Sequence, residues 1–275
     1  ILDLNINIDS IPLVVLDLET SGKYPIESQI CEIAAVKWLN GKEVDNYQTL
    51  VKPDHQMSDT VIKIHNITNE MVADAPKINE VLPKFRDFLD GSVCVAHHAP
   101  FDLGFLAYDF ENYNIQLPKY PAICTSLLAI ARISGTQNHR LQTLMRHFSI
   151  DPGAAHRALD DARSCASVLY KCLETLAEPV TLESVILAQG SHLKWQNFSM
   201  NKLRENKVHR DLITATENKK EVDLVYQGGS KPGQFRKVLP ISVVRNPLGD
   251  FLVANDLKSP KLKRYYVEKI TDIKA

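Results

Sequence analysis

The chain has 275 residues, 44% of them hydrophobic and 24% charged, and a net charge of −1. That composition suits a soluble, folded protein of one large or two ordinary domains and excludes a disordered one. No apolar run approaches the roughly 20 residues of a membrane span, so no membrane association and a cytoplasmic location are expected. The five cysteines mostly sit in apolar contexts without a Cys-x-x-Cys pair, which favours reduced, buried thiols over disulfides or zinc. The first residue is Ile1, not Met, so a missing leader is left open.

Residues 13–18 read Leu-Val-Val-Leu-Asp-Leu, a short apolar run that predicts a buried strand ending at Thr20-Ser21-Gly22. Side chains alternate along a strand, so Asp17 and Glu19 point the same way. Two like charges at the end of a buried strand repel each other unless a cation is shared. The strand-like Ser92–Ala96 is followed by Ala99-Pro100 and a helix that Asp102 would open. Taken alone, Asp102 could equally be a helix-start cap.

After Asp151-Pro152-Gly153, residues 156–174 predict a helix, with Ala158, Ala162, Cys165, Ala166, Leu169 and Cys172 on one stripe. Asp161 precedes Cys165 by four residues and faces inward, whereas Asp160 falls on the polar side with Arg163 and Lys171. His156 begins this helix. A histidine titrating near neutrality beside a metal site suits a general base, although a lone helix-start histidine more often has no task. Buried carboxylates are costly without positive partners. Asp17, Glu19, Asp102 and Asp161 together therefore point to a pair of divalent ions and to phosphodiester chemistry.

The second half differs. Residues 1–180 hold 15 Lys+Arg against 23 Asp+Glu, a net −8, while residues 181–275 hold 17 against 10, a net +7. A basic segment could hold a polyanion, or could be only a solvated lysine-rich face. Ala177-Glu178-Pro179 breaks the long helix; short helices are predicted over 181–188 and 200–204, and an amphipathic one over 206–219. Trp195 and Phe198 between them are expected to pack. Strands are predicted over 222–226, 235–244, 250–254 and 264–270, separated by turns such as Asn246-Pro247-Leu248-Gly249.

Over residues 11–176 the acids and their surroundings resemble the DEDDh family of 3′–5′ exonucleases, the DnaQ-like group. Ile64-His65-Asn66-Ile67-Thr68 is similar to the family's Val-His-Gly-Ile-Thr, and His156, Ala158 and Asp161 fit its His-x-Ala-x-x-Asp. The family's His-Asn-Ala is here His97-His98-Ala99. The resemblance implies an α/β, ribonuclease-H-like fold with a mixed sheet. It also implies two magnesium or manganese ions held by Asp17, Glu19, Asp102 and Asp161, with His156 as base and Thr20, Ser21 and His65 against the terminal nucleotide. The implied reaction releases 5′-mononucleotides from 3′ ends.

The C-terminal segment resembles a WYL domain, a small SH3- or Sm-like β-fold. The likeness rests on Val225-Tyr226, Arg236 with Val238 and Pro240, Gly249–Ala254, and Arg264-Tyr265-Tyr266-Val267. Asp250-Phe251-Leu252 stands where the naming tripeptide would be. Its candidate nucleic-acid contacts are Arg236, Arg245, Lys263 and Arg264. The expected organisation is an exonuclease domain over 1–178, a helical connector over 179–215 and a WYL-like β-domain over 216–275. The expected partner is a nucleic acid, single-stranded DNA ahead of RNA, with DNA repair as a setting and a homodimer left open. The competing expectations are an exoribonuclease, or a ligand- or nucleic-acid-sensing regulator that keeps the nuclease fold as a scaffold.

Overall fold

The computed structural model describes residues 2–151, 157–229, 231–257 and 261–274. The first apolar run forms β1 (Leu13–Thr20), which pairs with β2 (Ile30–Leu39), itself paired with β3 (Lys42–Leu50). Both pairings are antiparallel. On its other side β1 runs parallel to β4 (Val93–Ala96), and β4 runs parallel to the short β5 (Ile123–Cys124). The sheet order is β3-β2-β1-β4-β5, a mixed sheet as expected.

Alternation along β1 sends side chains to opposite faces. Val14, Leu16 and Leu18 join a core with Phe85 of α2 (Ile78–Leu89) and Leu103 and Phe105 of α3 (Pro100–Asn112). Leu13 and Val15 join a second core with Leu128 of α4 (Thr125–Arg132), Leu144 of α5 (Leu141–Phe148), and Ala162, Cys165 and Leu169 of α6 (Ala158–Leu173). The small stripe on α6 lets it lie close on β1 and β2. The remaining helix before β4, α1 (Asp59–His65), ends at Asn66 in the left-handed conformation, φ 59°. All five cysteines are buried and free.

Residues 179–215, expected as a connector, divide between two lobes. Leu182, Val185 and Ile186 of α7 (Leu182–Ala188) complete the second core, and Leu193, Trp195 and Phe198 complete the first. Gln189 fastens this segment to β5, accepting from the Cys124 N–H at 2.8 Å and donating to the Ala122 carbonyl at 3.2 Å. Met200 of α8 (Met200–Leu203) and Leu212 and Ile213 of α9 (Lys207–Glu217) instead pack into the C-terminal core.

That core is covered by a second, all-antiparallel sheet. Its strands are β6 (Val222–Tyr226), β7 (Phe235–Val244), β8 (Phe251–Asp256), β9 (Leu262–Tyr266) and β10 (Ile270–Lys274), in the order β10-β6-β7-β8-β9. The single strand expected over 264–270 is thus two, because a one-turn helix at Val267–Lys269 breaks the run and carries the chain to the far edge. No helix among the described residues is long and apolar enough to cross a membrane.

The lobes are joined through the elements that carry the acids. The loop after β1 packs Ile26 on the C-terminal core, and the Ser242 hydroxyl of β7 donates to the Pro25 carbonyl. From α3, Glu111 accepts the Ser199 hydroxyl and the N–H groups of Met200 and Asn201 at 2.8 and 3.0 Å. Tyr108 of α3 donates to Glu217 of α9 at 3.3 Å.

Candidate active site

Asp17 and Glu19 leave β1 on the face that α6 covers, and Asp161 lies in the first turn of α6. One carboxylate oxygen from each lies within 4.8 Å of the other two. Asp102 enters from the first turn of α3. It is buried, and the backbone amides of Asp102 and Leu18 offset part of the rise that burial imposes on its carboxyl.

These groups crowd one another electrostatically. Burial holds the Asp17 carboxyl well above its ordinary range, and the charges of Asp102, Glu19, Asp161 and Glu32 add to this. Glu19 is pushed up to about 8, first by burial and then by Glu32 and Asp161. Asp102 is also raised, by burial above all. A site that resists ionisation of its own carboxylates has a use for cations. The donors are all oxygen, which suits magnesium or manganese. Of the thiols beside these acids, Cys165 is held protonated by burial and hydrogen-bonds Thr125 at 3.3 Å.

The loop beyond β1 is tightly folded. Thr20 donates to the Gly22 carbonyl at 2.6 Å, and the Ser21 hydroxyl accepts the Gln29 N–H at 2.9 Å. Ser21 also meets His55 Nε2 at 3.0 Å, a partner that sequence reasoning missed. A Cβ at position 22 would lie 2.3 Å from the Ser28 hydroxyl oxygen, so a larger residue there would force Ser28 to move. His65 is buried at the end of α1. Its Nδ1 accepts the Ile67 N–H at 3.0 Å, and Nε2 lies 3.8 Å from the Cys31 thiol of β2.

His156 lies outside the described residues. The departure at His97-His98-Ala99 has a physical reading. His98 is exposed with φ 65°, a left-handed conformation in which Asn and His are both favoured over most residues. His97 bridges Thr125 at 2.8 Å and the His139 carbonyl at 3.0 Å, and burial lowers it to about 4. It is thus a neutral strut between β4 and α4.

The C-terminal candidates separate. Arg236 donates to the Gly228 and Lys231 carbonyls, both at 2.7 Å. Arg245 is largely buried, paired with Asp250 at 3.0 Å and bonded to the Ser199 carbonyl. Lys263 pairs with Asp256. Arg264 is exposed and stacks over Phe251, 4.7 Å from the ring centroid. It stands in one cross-strand row with Val253 and Ser242, and Phe251 and Tyr266 form the next row on the same face.

The profile of the RNase T exonucleases matches residues 14–169, more than half the chain. The chain belongs to that exonuclease family. An exonuclease X solved in complex with 5′-overhanging duplex DNA is 32% identical, and the match covers 65% of this chain and 99% of that one, with a TM-score of 0.52. The PolC-type DNA polymerase III of Oceanobacillus iheyensis is 36% identical over 204 residues, 74% of this chain. This exonuclease spans only 14% of that polymerase's length. An exonuclease I from E. coli, in complex with single-stranded DNA, shares the fold at 14% identity and a TM-score of 0.55. That likeness covers 96% of this chain and 65% of the other, so it takes in the second sheet.

Proposed function

We propose that this exonuclease removes nucleotides one at a time from the 3′ ends of single-stranded DNA, releasing 5′-mononucleotides in a metal-dependent reaction. The observation that carries the reading is the convergence of Asp17, Glu19 and Asp161 within 4.8 Å beside the buried Asp102. These four would hold two magnesium or manganese ions. When bound, such ions supply activation of water and stabilisation of the attacking and leaving oxygens. His156 would take the proton from the attacking water. Thr20, Ser21 and His65 would line the terminal nucleotide. The second lobe, read as a WYL-like sheet, would add affinity for the strand upstream through exposed groups such as Arg264. A cytoplasmic enzyme acting on broken or displaced strands would suit DNA repair.

The test is a digestion panel with magnesium on DNA and RNA, single- and double-stranded, with 3′ ends free or blocked. The expected result is stepwise loss from free 3′ ends, fastest on single-stranded DNA. Unchanged digestion of 3′-blocked strands would contradict the direction, and faster digestion of RNA would contradict the substrate.

A further inference from the structure

Glu32 is a carboxylate that the four-acid reading does not use. It sits in β2 directly opposite Glu19, so both side chains occupy one face of the sheet. It is 1% exposed. Its Oε1 accepts from Gln48 at 2.8 Å and from the half-exposed Arg157 at 3.3 Å, while its Oε2 is buried without a partner among the described residues. A like charge opposite Glu19 and an unsatisfied buried oxygen are both destabilising.

Arg157 gives the arrangement a purpose. It is the residue that caps α6, and its carbonyl accepts the N–H groups of Asp160 and Asp161, each at 3.0 Å. The Glu32–Arg157 contact therefore ties β2 to the turn that presents Asp161. The charges also balance. Asp17, Glu19, Glu32, Asp102 and Asp161 carry five negative charges against one guanidinium, an excess equal to two divalent cations.

We propose that Glu32 is a positioning residue of the metal centre. Through Arg157 it fixes the start of α6, and with it Asp161, opposite Glu19, and its free oxygen completes the negative charge that the cations meet. This rests on the metal-dependent reading above. Partners in the shell behind metal ligands are typically worth 10–100-fold in metal affinity or activity.

The test is manganese binding to the full chain by calorimetry, with thermal melts in chelator. Glu32→Gln and Arg157→Gln should each weaken binding 10–100-fold. The double variant should be no weaker than the worse single one, because both break one contact. Arg157→Lys should recover part of the loss, and Asp160→Asn should bind as wild type does. In chelator Glu32→Gln should melt close to wild type, since loss of the half-exposed Arg157 contact is offset by removal of a buried like charge opposite Glu19. Wild-type manganese affinity in Glu32→Gln would overturn the inference alone. So would a melting loss in chelator that parallels the loss of affinity, which is the mark of general loosening. Absence of manganese binding by the wild type would instead overturn the metal reading itself, and this inference with it.

Discussion

The hydroxyl of Ser242, in the second lobe, donates to the carbonyl of Pro25, in the loop that follows β1. Ser242 is fully buried, and the adjoining Ile26 is held at φ 73°, a conformation that β-branched residues rarely adopt. The loop beside Thr20 and Ser21 is thus shaped partly by the other lobe. Ser242→Ala leaves a buried carbonyl unpaired and should cost about 1–3 kcal/mol. Thermal melts, with limited proteolysis of residues 22–28, check this.

The same packing governs truncation. A fragment ending near Pro179 loses Leu182, Val185, Leu193, Trp195 and Phe198 from the two cores of the first lobe. It should fail to melt cooperatively, although it keeps every candidate catalytic residue. A fragment ending near Glu205 should melt cooperatively. Circular dichroism distinguishes the two.

Stability without metal should fall as pH rises from 6.5 to 8. Glu19 is raised from 4.5 to about 8, and Asp109 is raised to about 7 by burial. A carboxyl raised on folding favours the folded state most below its unfolded value, and that advantage is lost as pH climbs through the folded value. Over this window His97, lowered from 6.5 to about 4, is neutral when folded, while its unfolded ring sheds its remaining proton, which offsets only a small part of the fall. At about 1.4 kcal/mol per pH unit per group, the effect is on the order of a few kcal/mol. Melts in EDTA should show the fall, and manganese should reverse it most strongly at pH 8.

Arg245 and Arg264 should behave differently although both are basic. Arg264→Ala removes one exposed contact, so the log–log salt slope for single-stranded DNA should flatten by about 0.7 with the fold intact. Arg245→Ala opens the buried pair with Asp250 and should lower stability first. Binding across a salt series and melts of both variants separate these effects.

His156→Ala should cut turnover by roughly 10²–10⁴, the range of a positioned general base, and Asp160→Ala should do little. Single-turnover rates measure both. Asp160 lies on the polar side of α6, where it pairs with Arg163 at 3.7 Å.

Much of this site is legible in the sequence because its acids sit in apolar periodic segments. Asp17 and Glu19 declare a shared face by their spacing of two, and Asp161 by its spacing of four from Cys165. Glu32 carries the same signal, a carboxylate inside Ile30-Cys31-Glu32-Ile33-Ala34. It is missed because its partner Glu19 is set by strand register, which local pattern does not reveal. His55 meets Ser21 only through a loop, so no periodicity announces it. Trp195 and Phe198 are read as packing, but the lobe they complete depends on long-range contacts with Phe110 and β5. The break between β9 and β10 turns on one short helix inside an apolar run, where periodicity is ambiguous.

Under the proposed function Asp17, with Glu19, Asp102 and Asp161, forms the metal-dependent centre of a 3′–5′ exonuclease. The most direct test of this reading is release of labelled mononucleotide from a 3′-end-labelled single strand in magnesium, by wild type and by Asp17→Asn. Steady release is expected from wild type, none in EDTA, and none from Asp17→Asn, whose circular dichroism and melting stay native. Release that persists in EDTA, or at wild-type rate in Asp17→Asn, would contradict it.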